Sequence, residues 1–322
     1  MTRILNLLVL TVALALAAWA VGAQDFPRQP IRIIVPFPPG TAADTVARVV
    51  AEDLRITLAQ PVEIEHRPGA TGLVGVGSLA QAPADGYTIG LGIEATHVTI
   101  PLVKKKVAYD PVKDFTPLTL AVRTTMAIAI NPDLVPVQDL PGLLQAAKTR
   151  AGGVAFGTMG EGSPQQLIGE LLKQRTGARF EHVPYAGSAA AIEDLVAGKL
   201  AMVIAPLATV AAHKDKLRII AVADARRVAT FPGVPAIAET LPGVVVTGWA
   251  GFFAPAKLPP AVAAKLSNAL AAALRKPAVM EALRKRSMEP AGTSADEFRE
   301  LLRAELAYWA PVVEKAQFQK TD

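Results

Sequence analysis

The stretch that decides the fold is residues 30–54, PIRIIVPFPPGTAADTVARVVAEDL. Its first part, residues 31–35, is an apolar run that stops at prolines and a glycine, which is typical of a buried strand. Its second part places Val46, Val50 and Leu54 on one face of a helix, with Asp44 as the expected cap. A buried strand that leads directly into an amphipathic helix is the repeating unit of a parallel α/β sheet.

The same alternation of strand and helix continues along the chain and restarts at Met126. Further strands are predicted at 62–64, 87–92, 127–130, 154–156, 180–183, 201–204 and 217–223, and helices at 140–149, 163–176 and 188–197. Three helices with clear starts close the chain.

This pattern predicts an α/β protein with two lobes whose parallel-rich sheets are flanked by helices. The first lobe is expected to comprise residues 24–125 and 247–322, and the second residues 126–246. Hinges are expected near 120–126 and 245–253, with a ligand cleft between the lobes.

The first 23 residues predict a signal peptide. Arg3 precedes a nearly unbroken apolar run, and Val21, Gly22 and Ala23 offer small residues for cleavage. The alternative is an uncleaved membrane anchor, because the run is close to the minimum length of a span. With cleavage, the mature protein is expected in the periplasm.

Composition excludes several classes of site. The chain has no cysteine, which removes lipid attachment after cleavage, disulfides and thiolate metal sites. The net charge of +5 is small and scattered, and the interleaving of arginine with aromatic residues that marks a nucleic-acid groove is missing. No nucleic-acid partner is therefore expected, and the protein is predicted to be a monomer.

Three turns follow predicted strands and open predicted helices, at 36–44, 157–163 and 184–188. Each contains glycine and a hydroxyl residue. Glycine allows close approach of a ligand to the backbone, and helix amino ends bind anions through unpaired N–H groups. Each turn alone is more typical of an ordinary capped helix than of a binding site, but three similar turns from both lobes favour a shared anion site.

Sequence motifs typical of enzymes are weak or missing. A P-loop and a nucleophile elbow are missing, and the loose glycine match at 75–80 lacks a preceding strand. The four histidines do not share metal-ligand spacing. His182 is expected to be structural, and His97 is the histidine placed closest to the cleft. No enzyme activity, metal or cofactor is expected.

The chain resembles the tripartite tricarboxylate transporter receptors, also called Bordetella uptake gene (Bug) proteins. The resemblance runs from about residue 26 to 316, and its motifs stand in order at 30–37, 67–70, 84–88, 109–115, 160–163, 182–188 and 249–251. It implies an extracytoplasmic receptor with the two-lobed periplasmic binding protein fold. Such a receptor holds a carboxylate through backbone N–H groups and ordered water and serves membrane transporter subunits.

The residues and the resemblance together give one set of candidate substrate-binding residues. They are Phe37, Gly40, Thr41, Ala42, Thr96, Thr158, Gly162, Ser163, Gln166, Tyr185, Gly187, Ser188 and Ala205. Three of them depart from the family pattern. Thr41 stands where a second glycine is usual, Gln166 where histidine is common, and Ala205 where aspartate is common, which weakens the case for an ammonium group on the ligand.

The sequence thus predicts a receptor for a small organic acid, such as a di- or tricarboxylate. Two alternatives remain open: a sensor that presents its closed form to a signalling partner, and an extracytoplasmic hydrolase on a related fold.

Overall fold

The computed structural model of the protein describes residues 26–286 and 288–315. The predicted signal peptide, residues 1–23, lies outside the described residues. Within them, no helix is both long enough and apolar enough to cross a membrane.

Strands and helices alternate through most of the described chain. The strands are β1 (Ile31–Val35), β2 (Val62–His66), β3 (Thr88–Ile93), β4 (Phe115–Ile130), β5 (Val154–Thr158), β6 (Phe180–Pro184), β7 (Met202–Pro206), β8 (Arg218–Val222), β9 (Thr247–Pro255) and β10 (Glu289–Pro290). The α-helices are α1 (Ala42–Thr57), α2 (Leu73–Ala80), α3 (Ile100–Val103), α4 (Leu140–Thr149), α5 (Pro164–Thr176), α6 (Ser188–Val196), α7 (Leu207–Ala211), α8 (Ile237–Thr240), α9 (Pro260–Leu274), α10 (Pro277–Arg284) and α11 (Ala295–Lys315). The α/β class is confirmed.

The strands are hydrogen-bonded in the order β2-β1-β3-β9-β4-β7-β5-β6. At each end of this path the strands are parallel: β1 with β2 and β3, and β5 with β6 and β7. The two central strands are antiparallel to their neighbours. The sheet is therefore mixed rather than uniformly parallel, because two long strands join the two parallel groups.

These joining strands occupy the segments that the sequence predicted as hinges. Strand β4 has 16 residues and β9 has 9, and they pair from Phe115 opposite Pro255 to Thr125 opposite Thr247. The first half of β4 pairs with β9, and its second half, Met126 to Ile130, pairs with β7. One strand thus belongs to both parallel groups.

Each parallel group packs against helices of its own, although the buried cluster on the second group continues into the first. On the first, α1 and α9 contribute Val46, Leu54, Leu266 and Leu270 to a buried cluster that includes Ile33. On the second, α4 and α5 contribute residues to a buried cluster with β5 and β7. A buried stripe on each helix against an apolar strand is the arrangement that the periodicity predicts.

The last helix, α11, lies against both groups. Its start is the predicted capping box, in which Ser294 and Glu297 bond to each other's backbone N–H groups. It packs mainly on β4 and on residues 95–103. Near its other end, the Tyr308 hydroxyl donates to the Gly243 carbonyl at 3.1 Å. The helix therefore reaches from the first parallel group to the second.

Candidate ligand-binding cleft

A cavity of about 520 Å³ lies where the two parallel groups meet. Its wall combines the amino ends of α1, α5 and α6 with the middle of β4 and the start of β9. The lining residues are Phe37, Gly40, Thr41, Ala42, Ala43, Val46, Ile93, Glu94, Ala95, Val122, Thr124, Thr125, Met126, Met159, Pro164, Gln165, Ser188, Ala189, Pro206, Ala208, Thr209, Gly248, Trp249, Ala250, Arg286 and Met288. This volume is within the usual range for a site that takes one small molecule.

The first turn begins α1 and is held by its own side chains. The cap is Thr41, not Asp44 as the sequence suggested, and its hydroxyl accepts from the Asp44 N–H at 3.4 Å. The Asp44 carboxylate bonds back to the N–H of Gly40 at 2.8 Å. We call this two-bond arrangement the reciprocal cap. The N–H groups of Ala42 and Ala43, in the first helical turn, have no partner inside the helix.

Two further side chains, Arg48 and His66, lie within hydrogen-bond distance of the Asp44 carboxylate. It accepts hydrogen bonds from Arg48 Nε at 2.9 Å and lies 2.7 Å from His66 Nε2. Although burial acts to raise it, hydrogen bonds from Arg48, Gly40 and His66 lower the pKa of Asp44 to about 2. Asp44 is therefore ionised at neutral pH and fixes the shape of this turn.

The second turn begins α5 and repeats the reciprocal cap with neutral groups. Ser163 caps the helix by accepting from the Gln166 N–H at 3.3 Å. The Gln166 side chain accepts from the N–H of Gly162 at 2.7 Å. Both Gly40, at φ +84°, and Gly162, at φ +71°, have the left-handed backbone that favours glycine. In both turns the glycine N–H is already bonded within the chain.

The third turn begins α6 and has no such cap. Its cap residue is Gly187, and no side chain bonds to the first N–H groups of the helix. The other two turns carry Asp44 and Gln166 three residues after a Thr or Ser; here both Ala190, three residues after the cap, and Ala191, three residues after Ser188, are alanine. Gly187 has an extended φ of 170°, so its backbone does not require glycine. The free N–H groups of α6 thus open beside Ser188 and Ala189 on the cavity wall.

Five of the predicted binding residues line the cavity: Phe37, Gly40, Thr41, Ala42 and Ser188. The others lie behind or beside the wall. Gly162, Ser163 and Gln166 form the second reciprocal cap, and Gly187 directly precedes Ser188.

Of the remaining four predicted residues, three have hydrogen-bond partners within the protein and the fourth is apolar. The Thr96 hydroxyl bonds to the backbone of Ile93, and the Thr158 hydroxyl lies 2.7 Å from His182 Nε2. The Tyr185 hydroxyl donates to Asp194 at 3.1 Å. Ala205 is buried on β7 in an apolar cluster and offers no polar group there.

His97, the histidine placed closest to the cleft, is fully buried and stacks on Phe253 with ring centroids 3.9 Å apart. Burial lowers the pKa of His97 to about 3, so it is neutral. His182, half-buried beside Phe156, has its pKa lowered to about 4 by burial and by Lys173. Both imidazoles are parts of the packing, and among the described residues no group of three His, Asp or Glu side chains could hold a metal ion.

Sequence reasoning missed much of the cavity floor. Thr124 and Thr125 on β4 and Trp249 on β9 come together only because these two strands pair. Trp249 is oriented by Glu305 of α11, which accepts from the indole Nε1 at 2.7 Å. Burial raises the pKa of Glu305 to about 7. Trp249 lies in the sequence motif at 249–251, but no local pattern indicated which surface this side chain would line.

Two polar side chains of the cavity wall are buried without partners. Neither carboxylate oxygen of Glu94 and neither amide atom of Gln165 has a hydrogen-bond partner among the described residues. Burial, with repulsion from Glu305, raises the pKa of Glu94 well above its usual range. Burial without a bonded cation thus disfavours the charged form of Glu94.

Comparisons with known proteins agree with this architecture. A sequence model described as the tripartite tricarboxylate transporter family receptor matches residues 46–318. Protein BugT of Bordetella pertussis is 34% identical over 317 residues, covering 97% of each chain.

Two solved structures are also similar. A protein of R. palustris solved with adipate has 32% identity and a TM-score of 0.82, over 91% of this chain and 98% of its own. MatC of Rhodopseudomonas palustris, solved with bound malate, has 29% identity and a TM-score of 0.78, over 89% of this chain and 100% of its own. The two-lobed binding-protein fold predicted from the sequence is confirmed.

Proposed function

The chain belongs to the tripartite tricarboxylate transporter receptor family, and from this premise we propose that it captures a small organic acid in the periplasm for a transporter of that type. Receptors of this kind bind and release a solute unchanged. The leader at residues 1–23 supports export, because its charge and apolar run suit a signal peptide.

One observation carries the proposal of a carboxylate ligand: the uncapped amino end of α6 opens into the same cavity as the amino end of α1. Unpaired N–H groups at helix amino ends bind anions, and charge-assisted hydrogen bonds contribute about 1.5–3 kcal/mol each. Micromolar binding requires about 8 kcal/mol net, which four or five such donors supply. The relatives solved with adipate and malate support the same class of ligand.

The proposed lobes are residues 24–125 with 247–322, and residues 126–246. The change of partner along β4 supports this division, since the strand leaves β9 at Thr125 and pairs with β7 from Met126. The α1 end then lies on one lobe and the α6 end on the other. A carboxylate that touches both ends is fully coordinated only when the lobes are close, so it favours the closed form.

The test is calorimetric titration of the mature protein with a panel of dicarboxylates, tricarboxylates, monocarboxylates, aromatic acids and neutral sugars. Micromolar or tighter binding of a carboxylate, with no binding of the sugars, is the expected result. Binding that is confined to uncharged solutes would overturn the ligand class. Uptake of the identified acid by cells with and without the gene then tests the transporter role, and unchanged uptake would contradict it.

A further inference from the structure

The described part of the cavity wall contains one exposed cation, Arg286. Of the described residues that line the cavity, only Glu94 and Arg286 have ionisable side chains. Glu94 is 2% exposed and has no cation bonded to it among the described residues. Neither of its carboxylate oxygens bonds to Arg286. No described residue of the wall therefore forms an ion pair with Arg286.

The backbone at Arg286 is fixed although its side chain is exposed. The residue lies between α10 and β10, and its N–H donates to the Leu283 carbonyl at 3.0 Å. The N–H of Met288 donates to the same carbonyl at 3.2 Å, and β10 then pairs with β4 through Pro290 opposite Val122. Arg286 and Met288 are thus both hydrogen-bonded to the end of α10, and β10 pairs with the cavity-lining strand β4.

The cations next to Arg286 have partners, and Arg286 does not. Arg284 pairs with Glu289 at 2.6 Å, and Lys285 pairs with Glu281 at 2.7 Å. No acceptor lies within bonding distance of the Arg286 guanidinium in the part of the chain that the structure describes. A planar guanidinium without an internal partner is well suited to a carboxylate, which it can bind through two parallel hydrogen bonds.

Apolar side chains line the same cavity as the helix amino ends and Arg286. Val122, Met126, Trp249 and Met288 contribute hydrocarbon surface, and Met288 is only 3% exposed. A ligand that satisfies the whole wall thus needs an anion at the helix ends, a hydrocarbon segment and a second anion. We propose that Arg286 binds the second carboxylate of a dicarboxylate and so selects dicarboxylates over monocarboxylates; this rests on the proposed carboxylate site at α1 and α6.

The test compares matched ligands on matched variants. Affinities for adipate and hexanoate, which share a six-carbon chain, are measured by calorimetry at low salt for the wild type, Arg286→Gln and the control Lys285→Gln. Dicarboxylates and monocarboxylates from three to eight carbons are measured in parallel, so that the preferred chain length is included. Arg286→Gln removes an exposed side chain with no internal bonds, so folding is expected to be unaffected.

The expected result is a roughly tenfold loss of affinity for the preferred dicarboxylate in Arg286→Gln, with monocarboxylates unchanged and Lys285→Gln like the wild type. Raising the salt concentration should reduce the difference in dicarboxylate affinity between the wild type and Arg286→Gln, because exposed charges are screened. Equal effects on both ligand classes, or no effect on either, would overturn the role of Arg286 while carboxylate binding by the wild type still supports the proposed function. A wild type that binds no carboxylate in the series would overturn both.

Discussion

The turns that begin α1 and α5 resemble the turn that begins α6 in sequence but differ in how their N–H groups are bonded. In the first two, a Thr or Ser cap and a side chain three residues later form the reciprocal cap. In the third, positions 190 and 191 are both alanine and no side chain caps the helix. The glycine N–H groups of the first two turns are thus bonded internally, whereas the third turn has no side-chain cap and leaves all the first N–H groups of its helix free for a ligand.

The largest effect, on ligand affinity, is expected from placing a carboxylate side chain in the turn that begins α6. In Gly187→Asp, the new side chain accepts from the free N–H groups of α6 and repels a bound anion, so affinity for the carboxylate should fall at least 100-fold. The free energy of unfolding should rise by a few tenths of a kcal/mol, because Asp is a better cap than Gly. Calorimetry and denaturant unfolding measure the two effects separately.

The matched control is Gly187→Ala. An added Cβ at position 187 meets nothing within 4 Å, and the extended backbone accepts alanine. Its affinity should therefore stay close to that of the wild type. If Gly187→Asp also bound the ligand normally, the carboxylate would not lie at the α6 end.

The next largest effect, on the free energy of unfolding, is expected from removing Asp44, the charged member of the first reciprocal cap. Asp44→Ala leaves Gly40, Arg48 and His66 without their shared acceptor and should lower the free energy of unfolding by about 2–3 kcal/mol. Chemical denaturation at pH 7 measures this loss. A change below 0.5 kcal/mol would show that the network contributes little.

The same residue predicts a pH dependence. Since the folded-state pKa of Asp44 is lowered from 3.8 to about 2, its stabilising contribution is present above pH 4 and is lost as the pH falls from about 4 to about 2. The shift corresponds to about 2 kcal/mol. Denaturation curves from pH 2 to 7 should therefore be flatter for Asp44→Asn than for the wild type, and parallel curves would contradict the assignment.

The smallest effect is expected from the neutral reciprocal cap. Gln166→Ala removes one uncharged acceptor from the Gly162 N–H and should cost about 1 kcal/mol of unfolding free energy. Since an amide does not titrate, this cost should be the same from pH 3 to 7. A cost that changed with pH would mean that the α5 turn is coupled to an ionisable group.

The sequence predicted the elements whose pattern is local. Residues 31–35 and the stripe of Val46, Val50 and Leu54 form the expected strand and helix face. The segments predicted as hinges lie in the middle of β4 and over most of β9. Their pairing links residues more than a hundred positions apart, so periodicity within either segment could not show it.

The same limit applies to the site. The three turns were found because strand, glycine and helix stand together in the chain, and comparison of Asp44 and Gln166 with the alanines at 190 and 191 could also have separated the capped turns from the uncapped one. Arg286 carries no local signal, because it reaches the cavity only through the pairing of β10 with β4.

The most direct measurement is a crystal structure of the protein with the dicarboxylate that binds most tightly in the calorimetric panel. The account predicts one ligand carboxylate about 2.7–3.1 Å from backbone nitrogens at the amino ends of both α1 and α6, with the reciprocal caps at Asp44 and Gln166 intact. A carboxylate bound away from the α6 end, or one held by the Gly40 and Gly162 N–H groups after the caps have opened, would contradict it.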